Sequence, residues 1–184
     1  MAFDHRNALP CKATIHSAIT EDWPLGKVEA LMIRLATTNP GALNELDESG
    51  NTPLLACMFL QNTELLAVLL RCPAVSVHIT EKGGCSPLLC AVDEWFKVKN
   101  KLASEGRDWM ASFIASPAVS VVKLLLAHPD VDVNVVGRFG RNALHVACSN
   151  NDGTLVAALL RSTPNRKVGD NPGPIDNLTS MPKL

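Results

Sequence analysis

The sequence predicts an all-α solenoid in which about four helix-turn-helix units stack on one another. Three observations favour this class: a turn-helix motif recurs along the chain, each copy is followed by a Leu- and Val-rich segment, and aromatic residues are few. They make up 4% of a chain that is 47% hydrophobic, and Tyr is absent. A core of Leu, Ala and Val suits stacked helices better than sheets built on aromatic strand pairs. We therefore expect one domain with a continuous core.

The N-terminal part of the chain predicts a lead-in followed by an irregular first unit. Residues 1–12 form the lead-in, and the first unit occupies about 13–46. Its two helices are expected at about 13–20 and 27–36, with a long connection between them. A terminal unit of a solenoid has one face without a neighbour, so an atypical sequence is expected there.

The second unit, about 47–79, is the most regular. Gly50 supplies a turn, Thr52 can cap a helix, and Pro53 falls in the first helical turn, where its missing N–H costs nothing. A polar break then separates this first helix from a second apolar segment near 65–70.

The third unit, about 80–136, is interrupted. Its motif begins 34 residues after that of the second unit, but its apolar partner segment is delayed, which predicts a helical insert at 95–116. Gly106 divides this insert into two helix-compatible halves. The insert leads into Pro-Ala-Val-Ser-Val at 117–121, the sequence also found at 73–77, where the alternation of Val predicts a short strand-like segment.

The fourth unit, about 137–169, carries the last clear copy of the motif, which begins 56 residues after the third. A further turn motif at 170–173 is not followed by a helix pair. The predicted repeat domain therefore extends over 13–175, and residues 176–184 form a turn-rich tail.

Motif and period together resemble the ankyrin repeat, whose signature is Thr-Pro-Leu-His-x-Ala at a period of about 33 residues. The resemblance covers roughly residues 8–175. It implies a solenoid of helix pairs with β-turn fingers and non-catalytic binding of another protein. In that family the motif Thr and His hydrogen-bond to each other and lock the turn to the helix, but here no unit keeps both partners. The pairs present are Ala13 with His16, Thr52 with Leu55, Ser86 with Leu89, and Asn142 with His145.

The resemblance also implies where a partner would bind: the finger tips and the outward positions of the first helices. Large apolar residues at such positions are typical of an interface, although packing against a neighbouring unit is an alternative. Basic residues on one finger and acidic residues further along favour a partner segment with both signs of charge. The expected binding residues, two Trp of the insert included, are Glu48, Ser49, Asn51, Phe59, Leu60, Lys82, Cys85, Asp93, Glu94, Trp95, Trp109, Arg138, Phe139, Arg141, Ser149 and Asn150.

The charge of the chain bears on the class of partner. A formal net charge of −1 provides no basic excess for binding phosphate backbones or anionic lipid, so neither nucleic acid nor membrane is expected. The predicted partner is another protein, bound by a monomer. Two alternatives stay open: a structural subunit that self-associates through residues 95–116, and a microbial effector acting in a host cytosol.

An enzyme is the remaining class to weigh. Cys90 or Cys148 with His145 could form a thiol–imidazole pair, and Asp93 with Glu94 could supply carboxylates. However, His145 occupies a motif position, adjacent carboxylates point in different directions on a helix, and no phosphate loop or metal-ligand spacing is present. The sequence therefore predicts no catalysis, no metal and no cofactor.

The compartment follows from the cysteines and the termini. Several of the six cysteines fall among Ala and Leu in predicted helices, where Cys acts as a small apolar residue, which favours reduced thiols in the cytoplasm. The first residues lack the apolar run of a secretory signal. The final Pro-Lys-Leu differs from the peroxisomal Ser-Lys-Leu by its Pro, which argues against that address.

Overall fold

The computed structural model describes residues 14–80, 84–106, 109–137 and 139–162, and within them the regular structure is helical, as predicted. The predicted lead-in, domain end at 175 and tail lie outside these ranges. A 3₁₀ turn at Pro40–Leu43 follows α2. The described α-helices are α1 (Ile15–Thr20), α2 (Leu25–Thr38), α3 (Pro53–Phe59), α4 (Thr63–Leu70), α5 (Pro87–Glu105), α6 (Trp109–Ile114), α7 (Pro117–Ala127), α8 (Ala143–Ser149) and α9 (Gly153–Ser162).

The first helices of three successive layers begin in the same way. The side chains of Thr52, Ser86 and Asn142 each accept a hydrogen bond from the backbone N–H three residues later, at 3.2, 3.4 and 3.0 Å. Each such cap satisfies a helix N–H that would otherwise lack a partner and stabilises the helix by about 1 kcal/mol. Since α3, α5 and α8 start directly after these caps, Pro53, Pro87 and Ala143 occupy matching places in the stack.

In the fourth layer the two motif positions are bonded to each other although the Thr of the motif is absent. Asn142 takes the place of Thr, and its Oδ1 lies 2.7 Å from Nδ1 of His145. In the first layer the motif His acts differently, because Nε2 of His16 lies 2.8 Å from the carbonyl oxygen of Glu45 in the next layer. Both histidines thus join a helix to a turn.

The core runs through the stack as one cluster. The helices pair as α1 with α2, α3 with α4, α5 with α7 and α8 with α9, and each member also packs on its counterpart in the next layer. Fully buried Leu side chains fill these contacts, and each stabilises the fold by roughly 1.5–3 kcal/mol relative to exposure. They include Leu31, Leu55, Leu66, Leu69, Leu125 and Leu159.

The third layer differs at the end of its first helix. In the other layers a residue with positive φ ends that helix or follows it closely, and these residues are Asp22, Gln61 and Asn151. Gln61 and Asn151 lie nine residues after their caps, and the same position after Ser86 holds Trp95, where α5 simply continues. Helix α5 ends before Gly106, and α6 packs on α5. That residues 95–116 are an insertion stays a prediction.

The strand-like interpretation of residues 73–77 is wrong. The segment is a turn, in which the N–H of Val75 donates to the carbonyl oxygen of Cys72 at 3.0 Å. The identical pentapeptide at 117–121 forms the first turns of α7. Its conformation is therefore set by its surroundings: it follows a completed helix in the first case and the helix N-cap Ser116 in the second.

Candidate partner-binding surface

The second and fourth of the turn fingers share one hydrogen-bond pattern. We call residues 45–51 the second finger, 79–85 the third and 135–141 the fourth. In the second finger the N–H of Asp47 donates to Asn51 O at 2.9 Å and that of Gly50 to Asp47 O at 2.9 Å. The fourth finger repeats both bonds at 3.0 Å between Gly137, Arg141 and Gly140. In these two fingers the described side chains therefore project from a fixed backbone.

Glycines fit the fingers to this geometry in two ways. Gly50, Gly84 and Gly140 have φ values of 83°, 77° and 68°, a region that L side chains rarely adopt. Gly137 is different, because a Cβ there would lie 2.8 Å from Cδ1 of the buried Leu89. The absence of a side chain at Gly137 lets the fourth finger pack closely on α5 of the layer before it.

The expected finger residues are mostly accessible. Glu48, Ser49 and Arg141 are exposed, and Phe139 retains 87% of its surface. Asn51 and Cys85 are half-buried. Lys82 and Arg138 lie outside the described residues.

The expected helix residues form equivalent pairs at the ends of the first helices. Phe59 and Leu60 are both exposed in the second layer, and Ser149 and Asn150 in the fourth. The side chains of Ser149 and Asn150 are partly engaged, since both donate to the carbonyl oxygen of Val146, at 3.0 and 2.9 Å. A small surface pocket lies between the second and third layers. The residues that line it include Met58, Phe59, Gln61, Cys90, Glu94 and Val121.

The third-layer pair is acidic. Glu94 is half-buried and forms an ion pair with Lys97, which raises the pKa of that lysine. Asp93 is exposed, but partial desolvation, assisted by the charge of Glu94 and opposed by Lys97, raises the pKa of its carboxyl group. Lys97 thus partly compensates the charge of these two adjacent carboxylates.

The two Trp expected on the surface differ in exposure. Trp95 is buried: its ring makes an edge-to-face contact with Phe113 at 4.9 Å, and its Nε1 donates to Oδ2 of Asp152 at 2.9 Å. Trp109 is half-buried, with its ring centroid 6.4 Å from that of Phe113. The expectation that Trp95 meets a partner is therefore corrected, because its side chain forms part of the core.

Asp152 is a buried polar centre that sequence reasoning missed. It is 4% exposed, and besides Trp95 it accepts hydrogen bonds from Lys99 Nζ at 2.7 Å and from the N–H of Leu155 at 3.0 Å. The bond from Leu155 caps α9. The bonds from Trp95 and Lys99 join the part of α5 that begins at Trp95 to the fourth layer. An Asp before an apolar helix signals the cap, but nothing local signals partners more than 50 residues away.

The His and Cys side chains that were weighed for catalysis differ in their surroundings. His145 is bonded to Asn142, and Cys90 is buried whereas Cys148 is exposed. Burial raises the pKa of another core thiol, that of Cys57, to about 12, so this thiol is a poor nucleophile at neutral pH. In the described part of the chain there is no group of three or more His, Cys, Asp or Glu that could hold a metal ion, and no helix long and apolar enough to cross a membrane.

Comparison with known protein families places a match on the C-terminal half of the described chain. A family model described as ankyrin repeats (many copies) matches residues 110–160. Two curated proteins named Neurogenic locus notch homolog protein 1, from Xenopus tropicalis and Xenopus laevis, are each 30% identical over 128 residues. These residues are 70% of this chain, but the chain spans only 4% of the length of either relative.

The solved structures that this chain resembles include that of EF0377, described as an ankyrin repeat protein. It is 18% identical, with a TM-score of 0.43, over 82% of this chain and 81% of that one. Another is the Bd0816 predatory endopeptidase from Bdellovibrio bacteriovorus in complex with immunity protein Bd3460. It is 20% identical, with a TM-score of 0.34, over 83% of this chain and 99% of that one.

Proposed function

Because the chain is an ankyrin-repeat protein, we propose that it binds another protein, without catalysis, through a surface made of its fingers and the ends of its first helices. We call this the finger–helix surface. Ankyrin repeats are in general protein-interaction modules. The surface comprises Glu48, Ser49, Asn51, Phe59, Leu60, Cys85, Asp93, Glu94, Phe139, Arg141, Ser149 and Asn150, with Lys82 and Arg138 on the same fingers and the half-buried Trp109 beyond them.

The exposure of Phe139 carries this proposal. A phenyl ring that is 87% exposed gains the full benefit of desolvation only when another molecule covers it. It stands on a finger whose backbone is fixed by two hydrogen bonds, so little conformational entropy is lost on docking. Aromatic and Arg side chains on a rigid support are the residues that most often dominate binding energy, and Arg141 is close by in the same finger.

Replacing Phe139 and Arg141 with Ala is expected to reduce capture of the partner at least tenfold, since hot-spot truncations cost roughly 2 kcal/mol or more. The measurement is affinity capture from native lysate with quantitative mass spectrometry, intact protein and variant side by side. Ile33→Ala with Arg71→Ala is the matched control, because it removes an exposed apolar side chain from α2 and an exposed basic side chain from the C-cap of α4. Equal capture by the intact protein and the Phe139/Arg141 variant would refute the site.

Self-association is a second candidate function, favoured by one observation. Met110 and Ile114 lie one turn apart on α6 and are both exposed, while Phe113 of the same helix is buried. If this face joins two copies, light scattering will show a dimer that Met110→Ser with Ile114→Ser converts to a monomer. A monomer at high protein concentration would exclude this candidate.

We also propose a cytoplasmic location. Cys57 and Cys90 are packed in the core as small apolar residues, as expected of thiols in a reducing compartment.

A further inference from the structure

The three fingers differ in charge in a definite order. The second finger carries Glu45, Asp47 and Glu48 and no basic residue. The third carries one residue of each sign. The fourth carries Arg138 and Arg141 and no acidic residue. Glu45, Glu48 and Arg141 are exposed, so the row of fingers presents an acidic end and a basic end to solvent.

Exposed apolar side chains accompany both ends. Leu46 in the second finger is 54% exposed, and Val136, at the equivalent place in the fourth, is 56% exposed. Phe139 lies three residues further along the fourth finger. Neither Leu46 nor Val136 is among the binding residues that the family resemblance implies, so they add exposed apolar side chains to the two end fingers. Apolar contacts of this kind supply affinity, whereas the charges beside them select the partner and its direction.

The stacking of the layers sets the distance between the two ends. First helices α3, α5 and α8 pack on one another in that order, and packed helices lie about 8–10 Å apart. The second and fourth fingers are therefore separated by roughly 20 Å. An extended chain rises about 3.3 Å per residue, so about six residues reach from one finger to the other.

From this geometry we propose that the partner is an extended protein segment bound in one direction along the fingers. A basic residue of the segment lies against the second finger. About six residues away, an acidic residue pairs with Arg141 beside an apolar side chain that covers Phe139 and Val136. A uniformly charged polyanion such as nucleic acid does not fit, since the second finger repels it. This inference rests on the proposed function and specifies the chemistry of its partner.

The test is selection of random 12-residue peptides displayed on phage against the intact protein. The expected peptides carry Lys or Arg and Asp or Glu about six residues apart, with an apolar residue next to the acidic one. Synthetic versions are expected to lose roughly three- to tenfold in affinity on Arg141→Glu, and similarly on Glu45→Lys with Glu48→Lys, because each reversal replaces an attraction by a repulsion. These losses shrink in 1 M salt, where charges are screened beyond about 3 Å.

Two variants provide the matched control, since Glu29→Lys and Lys123→Glu reverse exposed charges on second helices and should leave the affinity unchanged. The selected peptides could lack the charge pair and still lose affinity on Phe139→Ala. That result would overturn the predicted order of charges in the partner but leave the proposed function standing. Peptides that keep their affinity on Phe139→Ala and on Phe59→Ala would overturn both. Recovery of no peptide would also count against an extended partner segment.

Discussion

Asp152→Ala is expected to lower the free energy of unfolding by about 3–5 kcal/mol, the range found when one partner of a buried ion pair is removed. The substitution leaves the Nζ of Lys99, 24% exposed, and the indole N–H of Trp95 without their acceptor, and it uncaps α9. Urea denaturation followed by circular dichroism measures the change. A loss below about 1 kcal/mol would show that this carboxylate contributes no more than an ordinary helix cap.

Matched variants separate the contributions at Asp152. Asp152→Asn keeps an oxygen for the N–H of Leu155 but removes the charge, so it should retain the cap and lose the ion pair. Lys99→Met combined with Asp152→Asn completes a double-mutant cycle, with an expected coupling of about 1–3 kcal/mol. Lys101→Met removes an exposed charge from the same helix and is expected to change stability by less than about 0.5 kcal/mol.

The contacts of Asp152 also make the stability of the fold depend on pH. Burial acts to raise the pKa of Asp152, but hydrogen bonds from Lys99, Leu155 and Trp95 outweigh it and hold the pKa below its ordinary value of 3.8. A lowered folded-state pKa stabilises the protein above the unfolded pKa, and this contribution is lost as pH falls through the folded value. Below about pH 4, Asp152→Asn should therefore lose less stability than the intact chain. Asp93, whose pKa is raised, acts in the opposite sense.

Local hydrogen bonding explains why so much of the fold could be predicted. A cap at Thr52, Ser86 or Asn142 involves a backbone N–H three residues away, and its signature is contained in four consecutive residues. The spacing of these signatures then gives the period of the stack. The exposed finger residues Glu48 and Phe139 follow from the same register, because each finger has a fixed offset from its cap.

Trp95 shows where sequence reasoning fails. An aromatic residue at the place where the other first helices turn with positive φ favours continuation of α5, and this much is local. Its burial is not local, since the acceptor of its indole N–H is Asp152, 57 residues further on. The pentapeptide at 73–77 and 117–121 also depends on non-local contacts. The same sequence forms a turn at one place and a helix at the other, so tertiary context decides its conformation.

Asn44→Ala is expected to lower the free energy of unfolding by about 2 kcal/mol, since two short hydrogen bonds with neutral backbone partners are lost. Nδ2 of Asn44 donates to the carbonyl oxygen of Ala74 at 2.7 Å, and Oδ1 accepts from the N–H of Ser76 at 2.7 Å. These bonds tie the segment after α2 to the segment after α4, so Asn44 couples two layers. The measurement is urea denaturation, with attention to the slope as well as the midpoint.

The slope distinguishes coupling from simple stabilisation. In a repeat stack each layer is held by its neighbours, so weakening one interface lets the first layer unfold separately and broadens the transition. Asn39→Ala removes an exposed Asn from the same loop and should leave both the slope and the midpoint nearly unchanged. Asn44→Asp keeps the acceptor for Ser76 but sets a carboxylate oxygen against the Ala74 carbonyl, so it should be no more stable than Asn44→Ala. If Asn44→Ala shifts the midpoint with the slope intact, the layers unfold together and their coupling does not depend on this side chain.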